Sequence, residues 1–472
     1  DAPRIAAEEP LPAPAAGSPV DFRHYPGPEE IHAFLQGLAV DHPDLVEVYT
    51  VGRSWQGRPI DAIRLTNERA PQTIADRPVV FIDAQHHARE LISAQVALYD
   101  TWRLVDGYGK DPVATHLLDT RVIHVIPSVN VDGNAVVLSD NQNNRKTLNP
   151  TCCDDDSDGK VDEDPPLGYG YGTHSLSRYT FDLPWADAHP QDPFVDDWRS
   201  HVIGQPEALG RFTGALGGER RPLARVDADG DGRAQEDPLG GVDPNRNYDW
   251  FWEGGDARIA SDAFRGPAAW SEPEVRTLRD YVSELSTLAA AISYHSGTDL
   301  LLFPWAYSET APLPDAGVFE LLGAKGSQLT EVHGFPGTVR TWTARGLYVA
   351  MGSSMDYLYG HLGALAFAPE TYGDSGVTGI ERLGATGVFT VGQATGFAFN
   401  PRPELILPTA DRWDRWARYL MAASPNIALN ALRREGDDLL VIVGNEGVMP
   451  IRLRVTLTSP DGRNTVLTAP ED

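Results

Sequence analysis

Apolar residues recur along this chain in two rhythms. Ile31, Phe34, Leu35 and Leu38 fall three or four apart within 29–39, so they share one face of a predicted amphipathic helix. Short apolar runs follow at 46–51, 60–65, 79–84, 122–127, 289–294 and 364–368. Runs of this length, bounded by polar turns, predict buried strands. Between several of them the spacing turns helical again, at 91–105 and 273–286. Ser271, with Glu274 three residues on, predicts a capping box at the start of the second of these helices. Strands alternating with helices predict an α/β fold built on a largely parallel or mixed twisted sheet.

The pattern breaks in three places. Residues 1–20 are rich in Pro, Ala and Glu and are expected to form a mobile tail. From about 150 to 241 Asp, Gly and Pro take over, as in an insertion within a main domain spanning 21–423. After a last helical stretch at 413–421, the segments 439–443 and 451–457 are β-rich, with turns at Gly436-Asp437 and Asp461-Gly462. A small β appendage is therefore expected over 424–472, short enough to suggest a truncated unit.

Composition narrows the possible partners. The chain has 472 residues, 41% of them hydrophobic, enough to fill one large core. It contains no apolar run of about 18 residues, so membrane insertion is not expected. Its net charge of −28 repels nucleic acid and anionic membranes. The only cysteines, Cys152 and Cys153, are adjacent, so they cannot staple distant segments; a free pair and a strained bond both stay open. The start Asp1-Ala2-Pro3-Arg4 reads as the product of leader or propeptide removal, which fits a secreted protein. The oligomeric state is not legible.

The chemistry begins where the run at 79–84 ends. His87-Ala88-Arg89-Glu90 places an imidazole and a carboxylate three residues apart in the loop after a predicted strand. These are two of the three protein ligands of a hydrolytic zinc, whose fourth position is left for water. Such pairs also arise by chance, but this is the only His-x-x-Glu among 13 histidines. It also sits at a strand's C-terminal end, where open α/β sheets place ligands. His295 closes another apolar run, at 289–294. Alone it reads as a core or loop histidine; beside the first pair it reads as the third ligand.

Further segments fall in a recognisable order. They are Gly52-Arg53-Ser54-Trp55-Gln56-Gly57-Arg58, Val129-Asn130-Val131-Asp132-Gly133, Asn144-Arg145-Lys146-Thr147 and Gly241-Val242-Asp243-Pro244-Asn245-Arg246-Asn247. Ser293-Tyr294-His295-Ser296 follows, then Leu347-Tyr348 with Ser353-Ser354-Met355-Asp356-Tyr357, and finally Phe367-Ala368-Pro369-Glu370. With His87-Ala88-Arg89-Glu90 in its place, this series resembles the zinc metallocarboxypeptidases related to carboxypeptidases A and T, over about residues 21 to 423. The resemblance implies a mixed, mostly eight-stranded sheet flanked by helices and one catalytic zinc on His87, Glu90 and His295. It implies Glu370 as the base and later proton donor, and Arg145 as the positive charge facing the oxyanion. Asn245 and Arg246 would clamp the terminal carboxylate of a peptide or protein substrate, and Tyr348 would swing over it. Met355 would lie at the pocket floor, with Ala350 and Ala368 on its walls. An apolar floor cannot pair a buried cation, so apolar or aromatic C-terminal residues are expected. Gln142 stands where the family often has another arginine. Singly, Glu370, Arg145 and Tyr348 also read as a solvent-facing acid, a loop charge and a loop aromatic.

Two alternatives remain. One keeps the zinc, Arg246 and Glu370 but acts as an amidohydrolase on cell-wall γ-glutamyl peptides or N-acyl amino acids. The other is a binding module that has lost its chemistry. Separate from both, two Asp loops suggest calcium. Asp154, Asp156, Asp158, Asp162 and Asp164 surround Gly159, and Asp227, Asp229, Asp231 and Asp237 surround Gly232. Alternating carboxylates about a sharp glycine turn suit a hard cation, although Pro165 and Pro238 stand where an acidic final ligand is usual. A solvated acidic loop is the other reading. Calcium chelation is expected to lower the melting temperature while zinc stays bound; an unchanged melting curve removes the calcium reading.

Overall fold

The apolar runs fold as strands because each is short, rich in β-branched or small apolar side chains and closed by turn residues. The computed structural model of the chain describes residues 22–140, 144–151, 181–182, 241–259, 261–330, 340–343, 348–373, 388–389, 399–401, 403–425, 427–435, 438–445, 449, 454–458 and 464–468. In chain order the first elements are α1 (Pro28–Asp41), β1 (Val46–Arg53), β2 (Pro59–Leu65), β3 (Val79–Ala84), α2 (Leu91–Gly107), α3 (Pro112–Thr120), β4 (Val122–Ile126), α4 (Val131–Asp140) and the short β5 (Phe181–Asp182). Then come α5 (Pro273–Ser283), β6 (Leu288–Tyr294), β7 (Asp299–Phe303), α6 (Ala316–Thr330), β8 (Arg340–Thr343), α7 (Ser354–Gly360), β9 (Leu365–Thr371), β10 (Val388–Phe389) and α8 (Pro403–Ala423). Last are β11 (Ile427–Glu435), β12 (Asp438–Asn445), β13 (Arg454–Thr458) and β14 (Asn464–Thr468).

Eight of the strands form one mixed sheet in the order β1-β2-β4-β3-β6-β9-β7-β8. Its centre is parallel: β4, β3, β6 and β9 run the same way, and β2 and β7 flank them antiparallel. Every residue of β3 is buried, as a strand covered on both faces requires. On α1, Ile31, Phe34, Leu35 and Leu38 are the buried residues, the face the periodicity predicts. On α8, Trp413 and Trp416 are fully enclosed by the core. The mixed α/β sheet expected from the sequence is therefore the one observed.

The predicted capping box does not form. Helix α5 starts at Pro273, whose fixed φ suits a first helical position, and its N-cap is Glu272, not Ser271. The Glu272 carboxylate instead accepts from Trp55 Nε1 (2.9 Å), Thr147 Oγ1 (2.7 Å), Asn149 Nδ2 (2.9 Å) and Ser271 Oγ (2.9 Å). Glu274, the acid that local spacing assigned to the box, accepts from Trp55 N (3.1 Å) across the fold instead.

After α8 the pairs β11–β12 and β13–β14 form separate two-stranded antiparallel sheets. Among the described residues no helix is long and apolar enough to cross a membrane. The tail 1–20, Cys152, Cys153 and both Asp loops, with Asp154, Asp156, Asp158, Asp162, Asp164, Asp227, Asp229, Asp231 and Asp237, lie outside the described residues.

Candidate active site

Strand register assembles the site. Ala84 at the end of β3 pairs with Tyr294 at the end of β6, and Ile292 pairs with Phe367 in β9. These three strands are parallel neighbours, so the residues that follow them emerge at one edge. Beyond β3 the chain turns at Gln85, a non-glycine residue in the left-handed region (φ 55°). Its side-chain amide donates to Ala88 O (3.1 Å), and its carbonyl oxygen accepts from Ser128 Oγ (2.8 Å) and Asn134 Nδ2 (2.9 Å). Those bonds offset the strained backbone and fix the loop that carries His87 and Glu90. His295 continues β6 and bridges the end of β9: its N–H donates to Pro369 O, and its carbonyl accepts from Thr371 N.

The first cluster is a candidate metal centre. Ligand atoms of His87, Glu90 and His295, all buried, lie within 4.8 Å of one another. His87 Nδ1 is 2.7 Å from Glu90 Oε1, and His295 Nδ1 is 3.0 Å from Glu90 Oε2. Burial alone would raise the Glu90 pKa, but the two imidazoles outweigh it and hold the carboxyl well below its usual range. Burial pushes His295 down to about 4, against the pull of Glu90, so its imidazole is neutral at physiological pH. Two imidazoles and one carboxylate form a donor set that fits zinc with a position left open.

Asp243 joins this cluster to a second one. Its Oδ1 lies 3.2 Å from His87 Nε2, which orients the ring so that Nδ1 faces the metal position. Its Oδ2 accepts from Arg145 Nε at 2.8 Å. Burial would raise the Asp243 pKa, yet Arg145, Arg246 and His87 keep it well below the ordinary carboxylate value. Arg246 donates to Asn245 O (2.7 Å) and to the Tyr348 hydroxyl (3.1 Å), with the guanidinium 5.6 Å from the Tyr348 ring centre. Asn245 Oδ1 accepts from Ser354 N (2.8 Å), and its Nδ2 lies 3.2 Å from His295 Nε2. Tyr348 itself is 50% exposed, as a side chain able to move would be.

An open cavity connects these groups. His87, His295, Asn245, Arg246, Tyr348 and Glu370 supply its polar lining, and Leu302, Ala306, Ala350, Met355 and Ala368 line its apolar part. Glu370 keeps access to the cavity but is densely surrounded by protein. Burial and the Glu90 charge push its pKa up to about 8, against the pull of Arg145. A divalent cation at the metal position would act in the opposite direction. Behind the apolar wall, the buried Asp356 carboxylate accepts from Ala306 N and Tyr307 N and so fixes the turn that carries Ala306. Burial raises Asp356 to about 7, even with those donors.

The structure thus brings together His87, Glu90, His295, Asn245, Arg246, Tyr348, Met355 and Glu370, with Arg145 held to the same cluster through Asp243. Sequence reasoning passed over Asp243 as a site residue, although it lies within a quoted motif. Its partners His87 and Arg145 stand 156 and 98 residues away, so no local spacing reveals the link. His86 was passed over too. It is fully buried, 2.7 Å from the Tyr248 hydroxyl, and its ring stacks on His295 at 5.6 Å.

Two imidazoles and a carboxylate at parallel strand ends, opening on an arginine-lined cavity, define a metal-centre α/β protein. The sequence model of the zinc carboxypeptidase family matches residues 31–188 and 220–412, and the chain belongs to that family. Carboxypeptidase A2 of Rattus norvegicus is 26% identical over 346 residues, which span 73% of this chain and 61% of that protein. Carboxypeptidase B of Astacus astacus is 24% identical over 347 residues, or 73% of this chain and 84% of that protein. The carboxypeptidase A of Helicoverpa armigera shares the fold, with a TM-score of 0.56, 19% identity and coverage of 86% of this chain and 75% of that one. Thrombin-activatable fibrinolysis inhibitor does so with a TM-score of 0.57, 20% identity and the same coverage.

Gly352 holds Arg246 in place. It has φ +71°, and a Cβ there would lie 2.2 Å from Arg246 O and 2.7 Å from Arg246 C. Gly352→Ala is expected to displace Arg246 and to raise KM for peptides with a free C-terminus roughly tenfold, the effect of about 1.4 kcal/mol of lost binding. An unchanged KM in steady-state kinetics would show that Arg246 does not depend on this contact.

Proposed function

We propose that the chain is a zinc-dependent exopeptidase that hydrolyses the C-terminal peptide bond and prefers apolar or aromatic C-terminal residues. The observation that carries this reading is one cavity lined by both histidines of the candidate metal centre, Glu370 and the Asn245–Arg246 pair. Arg246 offers a planar fork suited to a carboxylate, and Asn245 adds an amide donor. An internal peptide bond brings no carboxylate to that largely buried fork, so the charge-assisted pair it could form would go unmade.

Bound zinc supplies Lewis acidity and brings the pKa of a water molecule toward neutrality. Glu370 takes the proton of the attacking water on its carboxylate and later delivers it to the departing amine. Arg145, charged at all relevant pH and aligned by Asp243, donates to the oxygen on which negative charge develops. The substrate carboxylate competes with the Tyr348 hydroxyl for Arg246. Tyr348, once released, covers the substrate and excludes water. Leu302, Ala306, Ala350, Met355 and Ala368 receive the C-terminal side chain and hold no acid to pair a cation.

The same proposal includes a catalytic unit over 21–423, an appendage over 424–472 and an extracellular setting. Structural calcium in the two Asp loops rests on carboxylate spacing alone.

Peptides ending in Phe are expected to exceed those ending in Arg by roughly tenfold to a hundredfold in kcat/KM, the cost of burying an unpaired cation. Equal or better cleavage of the Arg peptide refutes the preference. Glu370→Gln is expected to keep zinc stoichiometry and to lose turnover roughly a thousandfold; full activity in that variant removes Glu370 as the base.

A further inference from the structure

Glu90 occupies the N-cap position of α2, yet its side chain makes no capping bond. A short polar side chain at that place, Ser, Thr, Asp or Asn, ordinarily accepts from the first N–H groups of its own helix. Here the work is done from the far end of the chain. Ile92 N donates to Asn400 Oδ1 at 3.0 Å, and Asn400 Nδ2 donates to Arg89 O at 2.7 Å. One amide therefore closes on the backbone just before and just after Glu90, across sequence separations of 308 and 311.

Asn400 is itself pinned. It is only 6% exposed. The Arg89 guanidinium lies 4.3 Å from the ring centre of Phe399. That ring packs against Gly297, two residues after His295, where a Cβ would come within 2.7 Å of Phe399 Cε1. On the other side Pro401 O accepts from the Tyr25 hydroxyl. Residues 399–401 thus form a strap across the loop bearing two of the three metal-binding groups.

We infer that Asn400 is a positioning residue for the metal centre. By capping α2 in place of Glu90, it leaves the Glu90 oxygens free to meet His87, His295, the Ser296 N–H (3.0 Å) and the ion, and it fixes the Glu90 backbone from both sides. Without it, the Glu90 carboxylate is drawn back to the helix N-terminus, where the exposed N–H groups attract an anion. The inference rests on the zinc reading proposed above.

The test is zinc affinity, measured by competition with a chromophoric chelator, with the melting temperature of the metal-free protein as the folding control. Asn400→Ala is expected to weaken zinc binding roughly tenfold to a hundredfold, as lost support of a ligand does elsewhere. Asn400→Asp keeps an acceptor for Ile92 N but loses the donor to Arg89 O, and is expected to bind zinc more tightly than Asn400→Ala and less tightly than the wild type. Phe399→Leu strips the strap's packing but leaves the Asn400 bonds, and is expected to bind zinc like the wild type. Should Asn400→Ala not fold, Asn400→Gln, which shifts the amide by one methylene, is expected to show the loss. Wild-type affinity in Asn400→Ala or Asn400→Gln overturns the inference, as does an equal loss in Asn400→Ala and Phe399→Leu. A wild-type protein that binds no zinc overturns the metal centre itself, and this inference with it.

Discussion

The parallel register of β3, β6 and β9 is the constraint on which the rest depends. Hydrogen bonding sets adjacent strands about 4.8 Å apart, and parallel direction sends their C-terminal ends to one edge. His87 and Glu90 leave β3, His295 leaves β6, and Glu370 lies near the end of β9. A slip of one residue between β3 and β6 would turn side chains to the opposite face and part the imidazoles.

On that edge the protein balances charges it has buried. Glu90 and Asp243 both stay ionised despite burial, the first between two imidazoles, the second beside Arg145 and Arg246. Glu370 is pushed the other way by the same low-dielectric surroundings. Carboxyls driven apart in pKa within one cavity are the arrangement that acid–base chemistry requires. Asp243 is the joint of the system. One oxygen faces the metal-binding His87 and the other Arg145, so the metal-binding and anion-binding halves cannot move independently.

The apolar half of the cavity is shaped from behind. Met355 lines it, and the next residue, Asp356, points away and holds the turn at Ala306 and Tyr307. Adjacent positions on α7 thus line the cavity and brace the turn behind it. Tyr348 rests on Arg246 and lines the same cavity.

The sequence by itself determined the elements and the identities of the reactive groups. Apolar period marked α1 and the central strands, and His87-Ala88-Arg89-Glu90 and His295 stood at strand ends, because burial and backbone geometry act over a few residues. The tertiary structure decided which distant groups meet. The roles of Asp243 and Asn400, the stacking of His86 on His295 and the engagement of Glu274 by Trp55 each depend on partners tens to hundreds of residues off. Local spacing carries no information about such contacts, since only the closed sheet and the helices packed on it bring those atoms within hydrogen-bonding reach.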